Sequence, residues 1–381
     1  MEIGIIGTRR YVDLTNLTLD GQRLPAVYVN SRIIYKSDES SFQGIIRDLE
    51  SRDKPGFFLT NQKGDFYVRI RWMLNRHCVL SSDLFYDSKR NLYRDIDAKG
   101  VGYTRGFPMK FLSVRLPEME GDIELRGILH DDVAIEDREI TEELEELGIR
   151  VARHVAQIEL YDLVNQEGEV VPRNYFSEEI GVNLDMVRPT VAIRAMGTTS
   201  RIWDLRVNNN THNQNYIREI VDDAVSLVSA ELGYELSPEE YVEWFVDTMG
   251  RQLGVIHRNK MMTDFTGQIH GGQHNLTLDC RLTDTYHYQT PKKLRRIYER
   301  LLREAEGQPA LKGLLDDMFP SNKTEEEVRE NNRRCDKIDR EGHERVVKAF
   351  TDSVGEIYPL GSLKDDVVDR FGKAYESEKG H

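Results

Sequence analysis

The chain has 381 residues, enough for two domains or one large bilobal unit, and its 39% hydrophobic content can fill a core. No stretch approaches the ~20 apolar residues of a membrane helix, and a formal net charge of −14 argues against a nucleic-acid backbone as main partner, which would need clustered cations. Three widely spaced cysteines (Cys78, Cys280 and Cys335) form neither a zinc pattern nor a disulfide framework, and the N-terminus lacks a signal-peptide pattern, so the expected setting is the cytoplasm.

Short strands dominate the first 130 residues. "GFFLTNQKGDFYVRIRWM", from Gly56, has two apolar runs around a Gln-Lys-Gly turn and predicts a hairpin; "LFYDSKRNLYRDIDAKG", from Leu84, repeats that form. A helix is expected from Asp131 to Leu147, with Asp137, Ile140 and Leu144 on one face and Gly148 closing it. Strands follow at "HVAQIELYDLV" and "TVAIRAM". From Asn213 the pattern turns helical. "SPEEYVEWFVDTMGRQL" opens with Ser237 as N-cap, Pro238 at the first helical position and Glu240 completing a capping box. After it come the β-like "NLTLDCRL" and helices from Lys292 and Thr324.

Handling a triphosphate requires cations for the phosphates, oxygen ligands for a divalent metal, and a carboxylate to hold the lysine or accept a proton. Lys99 ends a strand and precedes two glycines that let backbone approach a ligand. Arg194 lies inside an apolar strand, where an unpaired guanidinium is costly, so it calls for an anionic partner; Arg201 follows across a small-residue turn. Asp264 and Asp279 are the acids placed to meet a metal.

"GVIHRNKMMTDF", from Gly254, resembles a protein-kinase catalytic loop, with Asn259 at the catalytic Asp and Asp264 at the metal-binding Asn. From Arg76 to Asp284 the motifs resemble, in order, those of the selenoprotein O family, the kinase-like protein adenylyltransferases. "AKGVGYTR" is similar to that family's phosphate-binding lysine segment and maps it onto Lys99. "VAIRAMGTTSR" keeps its two phosphate-binding arginines as Arg194 and Arg201, and "MLNRH" offers Arg76 as a further phosphate contact. "LTLDCR" makes Asp279 a metal ligand. Matching Thr-Asp makes Asp264 the catalytic base, whereas ungapped counting from His257 makes it a metal ligand. The acid paired with Lys99 is Asp137 or Glu139, and the inward face favours Asp137. Gln268, His270, His274 and Asn275 lie in an insert that can also reach the metal. "HGGQHN" resembles a phosphotransferase loop too, but Asn275 precedes Asp279 by only four residues, which leaves no room for a hairpin between metal ligands.

The resemblance implies an α+β, protein-kinase-like bilobal fold. Residues 1–70 hold an N-terminal extension and first strands, 71–200 a strand-rich N-lobe with one key helix, and 201–381 a mainly helical C-lobe. It also implies ATP and Mg²⁺ or Mn²⁺ as cofactors and transfer of AMP to a Ser, Thr or Tyr hydroxyl of a protein or small-molecule partner, without nucleic acid or membrane. Two other expectations stand beside it: a phosphotransferase using the same site, and a non-catalytic nucleotide-binding pseudokinase module.

Overall fold

Residues 23–60, 62–70, 77–102, 113–115, 124–165, 167–175, 184, 188–202, 204–205, 214–259, 261, 275–285 and 325–379 are described by the structure, a computed structural model. Within these residues it is a mixed α and β protein. The strands in chain order are β1 (Arg23–Val29), β2 (Ser31–Lys36), β3 (Gly56–Leu59), β4 (Phe66–Ile70), β5 (His77–Tyr86), β6 (Leu92–Lys99), β7 (Ser113–Arg115), β8 (Glu124–Arg126), β9 (Leu129–His130), β10 (Arg153–Leu160), β11 (Asp162–Val164), β12 (Val170–Pro172) and β13 (Pro189–Met196). The helices are α1 (Gln43–Glu50), α2 (Asp131–Glu146), α3 (Gln214–Leu232), α4 (Pro238–Arg258), α5 (Glu325–Gly355) and α6 (Leu363–Lys379).

The main sheet runs β2-β10-β13-β6-β5-β4-β1-β3, with β9 added beside β13. It crosses residue 70, so β1, β3 and β4 share one sheet with the strands that follow. The β5–β6 hairpin forms as its sequence predicts, pairing Tyr86 with Leu92 across a turn in which Asp87 Oδ1 accepts from Asn91 N at 2.8 Å. The expected β3–β4 hairpin does not form. Both strands pair with β1 instead, one on each side of it: Ala26–Val29 carry the ladder to β3 and Arg23–Ala26 the ladder to β4. The sheet curls until its two ends approach. A Cβ on Gly56 at the start of β3 would lie 2.6 Å from Leu160 Cδ2 and 2.8 Å from Ser31 Cβ, so only glycine fits that closure.

Two large apolar clusters and one small one result among the described residues. One large cluster lies within the curled sheet and includes Phe57, Ile96, Val155 and Ile193; the other joins the helices and includes Phe245, Leu278 and Phe350. Helix α2 joins the helical cluster at one end and at the other packs Ala134 against Leu129 and Ala192 on the sheet's outer face. Ile140 and Leu144 enter the helical core, while Asp137 is buried one turn earlier on the inner face. Gly148, at φ 79°, turns the chain out of α2 as the left-handed C-terminal position requires.

Helix α4 starts with the full capping box of Ser237 and Glu240 and continues further than its sequence suggests. "GVIHR" is the last turn of α4, so the kinase-like loop read from Gly254 begins as helix; its residues 260 and 262–265 lie outside the described residues. Val255 and Ile256 are buried and extend the apolar stripe to the C-cap at Asn259, which explains the extra turn. His257 is buried, with Nδ1 3.0 Å from the Tyr375 hydroxyl and Nε2 2.9 Å from Asp339 Oδ2; it ties α4 to α6 and α5.

Gly250 and Gly254 let α6 lie directly on α4. A Cβ on Gly254 would stand 2.5 Å from the Tyr375 carbonyl oxygen and 2.8 Å from Glu378 Cβ. Gly254→Ala is therefore expected to cost about 1–3 kcal/mol by overpacking, despite the ~1 kcal/mol that alanine ordinarily gains over glycine inside a helix. Urea unfolding measures this; a variant as stable as the parent would show that the helices do not meet there. No helix among the described residues is long and apolar enough to cross a membrane.

Candidate functional site

Strand β6 alternates, so Ile96 and Ala98 face the sheet's apolar interior while Asp95, Asp97 and Lys99 share the opposite face. Beside it, β13 sets Arg194 directly across from Asp97, and β10 sets His154 across from Arg194. The period-two pleat thus lines up an acid, a guanidinium and an imidazole across three strands. Arg194 donates to Asp97 Oδ2 from both Nε (3.1 Å) and Nη2 (2.6 Å). The sequence demanded an anionic partner for Arg194, and Asp97 is that partner.

Helix α2 covers this face and turns Asp137 inward. Asp137 Oδ2 lies 4.0 Å from Lys99 Nζ, 3.7 Å from Arg194 Nη1 and 3.4 Å from His154 Nε2. Glu139 is only partly buried. Burial alone would raise the Asp137 carboxyl, but Lys99, then His154 and Arg194, overcome it and hold Asp137 well below the usual carboxylate range. Burial likewise drives His154 down from its ordinary value, against the pull of the neighbouring Asp137.

A hairpin brings the second half of the chain to this face. Leu276 and Leu282 bridge antiparallel, Thr277 N donates to Arg281 O at 3.0 Å, and Thr283 N donates to Asn275 O at 2.8 Å. The tip turns at Cys280, whose φ of 59° is left-handed. Asn275 and Asp284 therefore stand at the two open ends of the hairpin. The turn carrying Arg201 runs alongside, with Leu278 N donating to Ser200 O at 2.8 Å. Asp95 holds that turn by accepting from Thr199 N (2.9 Å) and Oγ1 (3.0 Å).

Asp284 is where everything converges. It is salt-bridged to Lys99, accepts from Arg194 Nη1 at 3.0 Å, and accepts from Arg201 Nη1 at 3.4 Å. Arg201 Nη1 also donates to Asn275 Oδ1 at 3.2 Å. Two oxygens from opposite ends of one hairpin thus meet a single guanidinium nitrogen. Asp284 sits at φ 56°, a left-handed conformation that a non-glycine residue adopts at a cost and that clusters at functional sites. Its side chain is 13% exposed, against 0–2% for Lys99, Asp97, Asp137 and Arg194, so the cluster opens outward at Asp284.

Of the residues selected from sequence, Lys99, Asp137, Arg194 and Arg201 come together here. Asp279 lies elsewhere, at the hairpin tip. It pairs with Arg281, faces Arg150 at 3.9 Å and accepts from Thr277 Oγ1 at 2.6 Å, beneath Gly197, where any Cβ would collide with its carboxylate. Arg76, Asp264, Gln268, His270 and His274 lie outside the described residues. Among the described residues no group of three or more His, Cys, Asp or Glu side chains is arranged to hold a metal ion.

Sequence reasoning missed Asp284, Asp97 and the place of Asn275. A signal was present: "NLTLDCRLTD" alternates apolar residues on both sides of Asp279-Cys280. Measured to Asp284 rather than Asp279, the segment has room for a hairpin after Asn275. Comparison with models of known protein families and with characterised proteins finds no match to this chain.

Proposed function

We propose that this chain is an ATP- and divalent-metal-dependent transferase of protein-kinase-like, bilobal build that passes part of ATP to a hydroxyl group. One observation carries this reading: Lys99 stands between Asp137 of the covering helix and Asp284, at the far end of a hairpin opened by Asn275. A lysine at a strand end, a helix acid, and an Asn and an Asp as metal ligands form the set with which kinases hold ATP and its metal. Asn275 and Asp284 would hold Mg²⁺ or Mn²⁺, which when bound neutralises charge on the phosphates. Lys99 and Arg201 would then turn from Asp284 to phosphate oxygens, and Asp137 would keep Lys99 charged and aimed. Asp264 remains the proposed base on sequence grounds.

The part transferred is AMP in the first reading, with a Ser, Thr or Tyr hydroxyl as acceptor. Arg194 and Arg201 both reach Asp284 beyond Lys99, and a pair of guanidiniums there suits a nucleotide whose far phosphates point inward. A specific observation favours γ-phosphoryl transfer as the second reading: Nε and Nη2 of Arg194 both donate to Asp97, which anchors the guanidinium in the strand layer, and its bond to Asp284 is made by Nη1. Incubation with ATP labelled separately at the α and γ positions decides. Retained α label is the expected result for AMP transfer and retained γ label for phosphorylation. Neither label, with metal-dependent ATP binding intact, would leave a nucleotide-binding module.

A further inference from the structure

Thr285 follows Asp284 and points its hydroxyl into α2. The residue is 1% exposed, and Oγ1 lies 2.8 Å from the Asp137 carbonyl oxygen, 2.9 Å from Asp137 Oδ1 and 2.8 Å from Thr141 Oγ1. A threonine hydroxyl has one proton to donate and can also accept. Thr285 therefore donates toward Asp137 while accepting from Thr141, which satisfies both hydroxyls without water. Asp137 and Thr141 are one helical turn apart, so the contact grips a single ridge of α2.

We propose that Thr285 is a positioning residue. It latches Asp284 to Asp137, so that the carboxylate offered to metal and the one that faces Lys99 move as a unit with α2. The inference rests on the functional reading above, in which Asp284 is a metal ligand. Its physical basis is the backbone: Asp284 is held at φ 56°, and the anchored neighbour keeps that conformation in place. Any displacement of α2 then shifts Asp284 relative to Asn275, which hangs on the other end of the hairpin and has no such anchor to α2 among its contacts in the described residues. Helix α2 thereby controls metal affinity without touching the metal.

The test uses Thr285→Val, which keeps the shape and deletes the hydroxyl, and Thr285→Ser, which keeps the hydroxyl. Binding of ATP is titrated with MgCl₂ in the full chain. Thr285→Val should raise the half-saturating Mg²⁺ concentration by roughly 10- to 100-fold, the usual consequence of losing an outer-shell partner, and Thr285→Ser should restore it. A Thr285→Val chain that is less stable but has an unchanged Mg²⁺ requirement would show that the hydroxyl only packs, and the proposal would be wrong. Hydrogen exchange in the metal-free chain keeps this result separate from the functional reading. Thr285→Val should speed exchange in both 131–146 and 275–285, with Ser reversing it, and a change confined to one segment overturns the latch. If the parent chain shows no Mg²⁺-dependent ATP binding, the functional reading fails, and exchange alone then decides whether the two segments are tied.

Discussion

Asp284→Ala should abolish the metal dependence of ATP binding, and Asp279→Asn should leave it intact. In the parent chain, ATP with metal at a hundredfold excess over its dissociation constant should stabilise the fold by about 2.7 kcal/mol. That increment should vanish in Asp284→Ala. The site there contains Lys99, Arg194 and Arg201 against Asp97, Asp137 and Asp284. Deleting Asp284 leaves the cations in excess, which repels a divalent metal while still attracting phosphates. Metal-free ATP should therefore stabilise Asp284→Ala at least as well as it does the parent. Asp279 has no part in that balance, because its carboxylate lies at the hairpin tip with Arg281 and Thr277. Thermal unfolding with and without MgCl₂ measures both variants. A metal-dependent increment that survives in Asp284→Ala and disappears in Asp279→Asn would return the ligand role to Asp279.

Asp97→Ala should destabilise the protein by about 3–5 kcal/mol, because it strands a guanidinium in the interior. Arg194 and Asp97 are each 1% exposed, and two nitrogens of the arginine donate to the same Asp97 oxygen. Burial works against the charge on Arg194, and Asp97, then Asp284 and Asp137, restore it and push its pKa above the ordinary value. With Asp97 gone the guanidinium would draw more heavily on Asp284 and Asp137, competing with Lys99 for both. The double variant Asp97→Leu/Arg194→Met should recover much of the lost stability, since an apolar pair of similar volume avoids the desolvation cost altogether. Its ATP binding should stay weakened, because the Arg194 contact at the site is lost too. Chemical denaturation gives the stabilities. A single Asp97→Ala variant within about 1 kcal/mol of the parent would mean that the pair is not buried as described.

Elements written in local signals were legible in the sequence. Helix α2 runs from Asp131 to Glu146 with Gly148 left-handed after it, α4 opens on its capping box, and the β5–β6 hairpin closes over its polar turn. Each depends on residues within a few positions of one another, so the chain carries the information in one place. The demand of Arg194 for an acid was legible for a similar reason, as a buried charge must be compensated wherever it lies.

Only the tertiary structure decided which acids answer which cations. Asp279 and Asp284 both close apolar runs of the same segment, and nothing local distinguishes them. The left-handed turn at Cys280 folds that segment back on itself, so one acid lands at the tip under Gly197 and the other at the open end against Lys99, far away in sequence. The same holds for β3 and β4, whose apolar runs predict strands but whose common partner, β1, comes from earlier in the chain. His257 was misplaced because a helix end depends on what covers it. Here α6 lies on Gly250 and Gly254, and buried Val255 and Ile256 carry α4 through the turn where a loop was expected.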